Sequence, residues 1–172
     1  MSSAEVAASN VKELEPEDIT ILQTFERSMS AFESVPLQYL TKYTRLHAEE
    51  VQFRLDQLHK RGFIIRNPLG YSLVAAGLDA LALTGFVKRG LITGMGHPIG
   101  IGKEADVFDA ISDSGLRYAI KFYRLGRTSF RAARRKRGYS SPIFQHRWLV
   151  IDRKSTRLNS SHIQKSRMPS SA

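Results

Sequence analysis

Gly100-Ile-Gly-Lys-Glu-Ala-Asp-Val107, followed by Tyr118-Ala-Ile-Lys121, is the stretch from which the rest of this chain can be read. Gly94, Gly96, Gly100 and Gly102 crowd one short segment. Glycine lets backbone N–H groups approach anionic oxygens without a clashing Cβ. A Walker loop needs Gly-x4-Gly-Lys-[Ser/Thr], but Gly102-Lys103 is followed by Glu104 and the upstream glycine position holds His97. That reading fails. A Rossmann turn must open a helix. Ala105–Ile111 instead alternates like a strand, Ser112-Asp-Ser-Gly115 is a turn, and Leu116–Tyr123 is a return strand. The order predicted is strand, glycine loop, strand, turn, and a strand bearing Ala-x-Lys.

The chain has 172 residues and a net charge of +10. It lacks cysteine, which excludes disulfides and thiolate metal sites. The five histidines show no ligand spacing. The start is polar and acidic rather than signal-like, and no apolar run suits a membrane span. A cytoplasmic protein is therefore expected. The charge is unevenly placed. From Lys121 to Ile151 come Arg124, Arg127, Arg131, Arg134, Arg135, Lys136, Arg137 and Arg147, with no Asp or Glu. Residues before Lys121 are acidic on balance.

Residues 1–14 read as a small, polar, disordered start. Pro16 suits the first turn of a helix, with Glu17 and Asp18 at its positive end. Ile19, Leu22, Phe25, Met29 and Phe32 extend the helical period to about Phe32. A short helix around Leu37–Tyr43 follows Val35-Pro36. A third runs from about His47 to Arg61, where Gly62 ends it. Phe63–Arg66 and Tyr71–Val74 read as a hairpin around Asn67-Pro-Leu-Gly70. Three helices and a hairpin make a winged helix. Its third helix would present Gln52, Arg54, Gln57 and Lys60 to a nucleic-acid groove, unless these form a solvated face. The acidic balance of this half weakens any duplex term. Ala75–Lys88 reads as an apolar helix linking onward, and Leu91–Thr93 as a short strand.

The predicted fold class is α+β. Residues 15–90 form a winged helix-turn-helix domain with a linking helix. Residues 91–151 form an incomplete kinase-like N-lobe, an antiparallel sheet with a basic loop. Residues 152–172 are expected to be disordered. Asp152–His162 resembles one reading frame of a common sequencing adapter, and Ser166–Ala172 resembles its far end. The expectation is read-through, with the protein's own sequence continuing beyond about Ile151.

The strand order with its Ala-x-Lys is that of a protein-kinase nucleotide flap. Lys121 would meet the phosphates; the plainer alternative is a solvated strand lysine. With Arg124-Leu-Gly-Arg-Thr-Ser-Phe-Arg131 added, the chain resembles the RIO family of atypical serine/threonine protein kinases. The winged helix in front is similar to that of the Rio-two subfamily, and an archaeal member is expected. The resemblance covers about residues 10–151.

The resemblance implies ATP and Mg2+ as cofactors and a role on small ribosomal subunit precursors and their rRNA. It implies ATP binding by Gly100, Ile101, Gly102, Lys103, Glu104, Ala105, Val107, Ala119 and Lys121. Ala105 departs from the serine of many members. Arg127, Arg131, Arg134, Arg135, Lys136 and Arg137 become nucleic-acid contact candidates. Thr128 and Ser129, with Ser140 and Ser141, become candidate phosphoacceptors. No catalytic-loop His-x-Asp, no metal-binding Asp and no partner glutamate for Lys121 is found in the chain. This stretch by itself is therefore expected to transfer no phosphate, and no metal ligand or catalytic residue is assigned. The rival reading is a winged-helix nucleic-acid-binding regulator with a basic C-terminal arm.

Overall fold

The computed structural model describes residues 1–102, 105–124 and 161–165. It divides into two compact units, Met1–Thr84 and Gly85–Ala172.

The first unit is the expected winged helix, with one more helix in front. Residues 1–14 are ordered, contrary to expectation: α1 spans Ser3–Asn10 and a 3-10 turn spans Val11–Glu13. The reason is local and tertiary together. Ser2 and Glu5 form a capping box, which satisfies two otherwise orphaned N–H groups. Ser3 Oγ donates to Asp79 Oδ2 at 2.8 Å, and Ala4 and Ala7 are fully buried. A docking face built from alanines carries little hydrophobic signal in sequence.

Helix α2 spans Pro16–Ser28, with Glu15 and Asp18 closing its N-terminal box. It stops before Phe32. The Ser28 carbonyl instead accepts from both Ala31 and Phe32 N–H, and the Phe32 ring packs 4.8 Å from Tyr39. The apolar period outlasts the helix because Phe32 is still needed for packing. Helix α3 spans Leu37–Thr44 and ends at Arg45, in the left-handed region. Helix α4 spans Ala48–Lys60, and Gly62 at φ +75° closes it. Phe25, Leu22, Leu40, Val51, Leu55, Leu58 and Phe63 are all fully buried and form the core. Each such side chain is worth roughly 1.5–3 kcal/mol of burial.

Strands β1 (Ile64–Asn67) and β2 (Gly70–Leu73) are the wing, and Val35 bridges Tyr71 as a third rung. Helix α5 spans Ala75–Lys88, as expected.

The second unit is an antiparallel sheet in the order β3-β4-β5-β6. The strands are β3 (Gly94–Ile101), β4 (Ala105–Ile111), β5 (Arg117–Tyr123) and β6 (Ser161–Lys165). Two expectations are corrected. The first strand is not Leu91–Thr93 but the glycine-rich stretch itself, because pairing with β4 extends it through the glycines. Within 152–172, Ser161–Lys165 pairs with β5 from Tyr118 to Phe122. A strand edge offers a row of open N–H and C=O groups, and an extended segment satisfies them whatever its origin.

Candidate nucleotide site

Lys121 faces Val107 in the β4–β5 register, and Val107 faces Gly100 in the β3–β4 register. Directly opposed residues share a sheet face. Three residues from three strands therefore form one row across the sheet. Ala119, opposite Asp109, lies on the same face one pleat along β5. The other face is the packed one: Phe108, Ala110, Ile120 and Phe122 are buried, whereas Val107, Asp109, Ala119 and Lys121 are half-buried. Phe108 and Phe122 meet edge to face at 5.7 Å and hold the two strands together from behind.

Two register shifts interrupt β3, one between Met95 and Pro98 and one between Pro98 and Gly100. Each is an extra residue that bends and twists the strand. Pro98 opposes Phe108 and Gly100 opposes Val107, so Ile99 is the extra residue of the second bulge. It falls beside Gly100 on the open face and is 52% exposed. Sequence reasoning missed Ile99, since nothing in the residue string announces a bulge there. Ile101 opposes Asp106 and so belongs to the other face, which leaves only its backbone for the site.

A Cβ added at Gly100 would meet nothing within 4 Å, and its φ is not in the left-handed range. Neither a close neighbour nor a left-handed φ requires glycine there; a strand glycine suits the bulge itself and also leaves room for a ligand to approach the backbone. Gly102 N–H donates to the Ala105 carbonyl at 2.9 Å and closes the hairpin root. Ala105 is buried opposite Tyr123. Lys103 and Glu104, at the hairpin tip, lie outside the described residues.

The Lys121 Nζ sits 5.0 Å from the Tyr123 ring centroid. Among the described residues no carboxylate pairs with it. On the same face Arg117 Nη2 donates to Asp109 Oδ2 at 2.7 Å, and that hydrogen bond raises the arginine's affinity for its proton. Asp109 is thereby paired, and among the described residues of this row Lys121 carries the available charge. The row could hold an anion against one ammonium and a glycine backbone. Among the described residues no three His, Asp or Glu side chains gather to hold a metal. Arg127, Thr128, Ser129, Arg131, Arg134, Arg135, Lys136, Arg137, Ser140 and Ser141 lie outside the described residues.

The winged helix is less open than expected. Arg54 does not face outward. Its guanidinium reaches Asp18 at 3.1 Å, Glu15 at 3.1 Å, Glu50 at 3.0 Å and Glu17 at 3.5 Å. Burial opposes its charge, but the bonds to Asp18, Glu50 and Glu15 outweigh that and push its pKa up. Gln52 is held by the Tyr71 hydroxyl at 3.1 Å and by Asp56 at 3.2 Å. Gln57 is half-buried, and Lys60 is exposed. The exposed α4 face also carries Glu49, Phe53 and Asp56. Two acids on that face oppose duplex binding.

The comparisons with known proteins bear on the family and the fold. Residues 11–89 match the family described as Rio2, N-terminal. The chain is 36% identical over 125 residues to the RIO-type serine/threonine-protein kinase Rio2 of Methanocaldococcus jannaschii, covering 73% of this chain and 46% of that protein. It is 32% identical over 151 residues to the serine/threonine-protein kinase RIO2 of Saccharomyces cerevisiae, covering 84% of this chain and 36% of that protein. The Rio2 kinase of Chaetomium thermophilum, solved as an ADP/Mg2+-phosphoaspartate complex, superimposes with a TM-score of 0.65 at 32% identity. That match covers 74% of this chain and 40% of the other. The chain spans less than half the length of each of these relatives. The fold is α+β, a winged helix followed by a kinase-like sheet, and the chain belongs to the Rio2 family of RIO-type kinases.

Proposed function

We propose that Gly94–Tyr123 is the nucleotide flap of a serine/threonine protein kinase or ATPase, and that its open face takes ATP as the Mg2+ complex. The observation that carries this reading is the row Gly100–Val107–Lys121 on one sheet face. Lys121 would hold the phosphates, the backbone at Gly100 would approach them, and Ala119 with Val107 and Ile99 would give the base an apolar seat. The ADP/Mg2+ named for the Chaetomium structure supports the same ligand class. Transfer itself needs a base and metal ligands as well as a nucleotide flap. The residues of this row would bind and orient the nucleotide.

The experiment is calorimetric titration of the chain with MgADP. Saturable binding is expected, weakened about tenfold or more in Lys121→Ala, a loss of about 1.4 kcal/mol. Binding indifferent to Lys121→Ala would sink the proposal.

The partner reading is an RNA of a small ribosomal subunit precursor, met in the cytoplasm. It is supported by the acid-free run from Lys121 to Arg147, whose charge suits phosphates. Binding of a structured RNA that is insensitive to salt would count against it. The rival reading, a winged-helix nucleic-acid-binding regulator with a basic C-terminal arm, is weakened at α4, where Arg54 is committed to four carboxylates.

A further inference from the structure

Asp106 is a charged residue on the packed face of the sheet and is 1% exposed. Arg124 Nε donates to its Oδ2 at 2.8 Å, and the Arg124 side chain is 11% exposed. The Arg124 guanidinium also lies 5.3 Å from the Phe122 ring centroid. Asp106 opposes Phe122 in the register, so the ion pair runs diagonally from β4 to the residue just past β5. Its place along the hairpin is informative. At the other end the Ser112–Leu116 turn fixes the pairing: Ser112 N–H donates to the Leu116 carbonyl at 2.9 Å, and Gly115 supplies φ +76°. The Lys121 end lies far from that turn and needs its own restraint.

Register matters acutely there. A one-residue slip moves every side chain to the opposite face. Lys121 would then turn inward and Phe122 outward, and the row with Gly100 would be lost. A buried ion pair is weak as a source of stability, since desolvation offsets most of its attraction. Its best-attested use is to specify register, because only the native pairing brings the two buried groups together.

We propose that Asp106 and Arg124 are positioning residues that lock the register of β4 against β5 at the Lys121 end, so that Lys121 shares a face with Gly100. Neither side chain lies on the open face, so both act through Lys121. The functional consequence rests on the reading of that face as a nucleotide site; the register claim does not.

Removing one partner breaks a buried ion pair from one side and endangers folding, so the test uses the full chain carrying Asp106→Leu and Arg124→Met together. Three quantities are measured: thermal midpoint, amide hydrogen exchange without ligand, and MgADP affinity. The midpoint is expected to hold. Protection at Phe122, whose N–H lies on the β4–β5 seam, should fall, while that at Ala110 and Tyr118, nearer the turn, stays. MgADP affinity should drop about tenfold, the scale of a small misplacement at a site of this kind. Lys121→Ala serves as the contrast: it should lose affinity with protection intact, and Arg124→Lys should keep most of both. Unchanged protection at the Lys121 end in the double variant overturns the proposal, whether or not affinity falls. If the unaltered chain binds no MgADP, the exchange pattern alone decides the register claim, and only the nucleotide reading is lost.

Discussion

A Cβ built on Gly70 would lie 2.3 Å from the Val35 carbonyl oxygen and 2.7 Å from its carbon. Gly70 also sits at φ +144°. The two backbones meet because Val35 exchanges hydrogen bonds with Tyr71, at 2.7 and 3.0 Å, and so joins the wing as a third rung. This contact ties the turn after α2 to the hairpin after α4. Gly70→Ala cannot be relieved by rotating a side chain, since the obstacle is backbone. The expected cost is roughly 2–4 kcal/mol, combining a strained φ with overpacking. Urea unfolding followed by the helical circular dichroism signal measures it, and an unchanged midpoint would refute the account.

Arg54 offers the second prediction. It joins the N-terminus of α2 to α4 through Asp18, whose side chain is 4% exposed. Arg54→Ala leaves that carboxylate buried with Arg61, at 3.7 Å, as its one charged partner among the described residues. Breaking such a pair from one side costs about 3 kcal/mol or more. Arg54→Lys should also destabilise, because one ammonium cannot serve four carboxylates as a fork does. If Arg54 were instead a nucleic-acid contact, either change would leave the thermal midpoint alone and weaken binding only.

The comparison of Arg54 with Lys121 shows which parts of the molecule are legible in sequence. The hairpins, α4, α5 and the Ala-x-Lys strand follow from period, turn residues and caps, all local signals. Lys121 could be placed because its row partners lie within the same short hairpin unit. Arg54 could not, since three of its four partners sit in the first turn of another helix, and contact across sequence distance leaves no trace in a single sequence. Two further misses share that cause. Helix α1 docks through alanines and one Ser3–Asp79 bond, and Ile99 reaches the open face only through a bulge.

Glu26, on α2, gives a pH-dependent test. Burial raises its pKa, and nearby Arg27 only partly offsets this. A carboxyl whose folded pKa is raised binds its proton more tightly in the folded state. Its contribution favours folding below the unfolded pKa and is lost as pH rises through the raised folded value. Glu26→Gln removes the ionisation, so it should raise the midpoint at neutral pH. The gain should shrink to nothing in acid, where Glu26 is protonated in both states. A gain that is constant across pH would show that ionisation is not the cause.

Gly100 closes the series because it is the opposite of Gly70. Both are glycines in strands, but a Cβ at Gly100 meets nothing within 4 Å and its φ is ordinary. Gly100→Ala should therefore change stability by no more than about 0.5 kcal/mol, the range of a neutral surface substitution. If phosphate oxygens approach the Gly100 backbone in the row with Lys121, the same methyl group should weaken MgADP binding about tenfold. The diagnostic result is the dissociation of the two effects: an unaltered midpoint with lost affinity. A fall in both would mean that Gly100 serves the sheet rather than the ligand. A change in neither would mean that nucleotide does not lie over this row, and the open face would need another occupant.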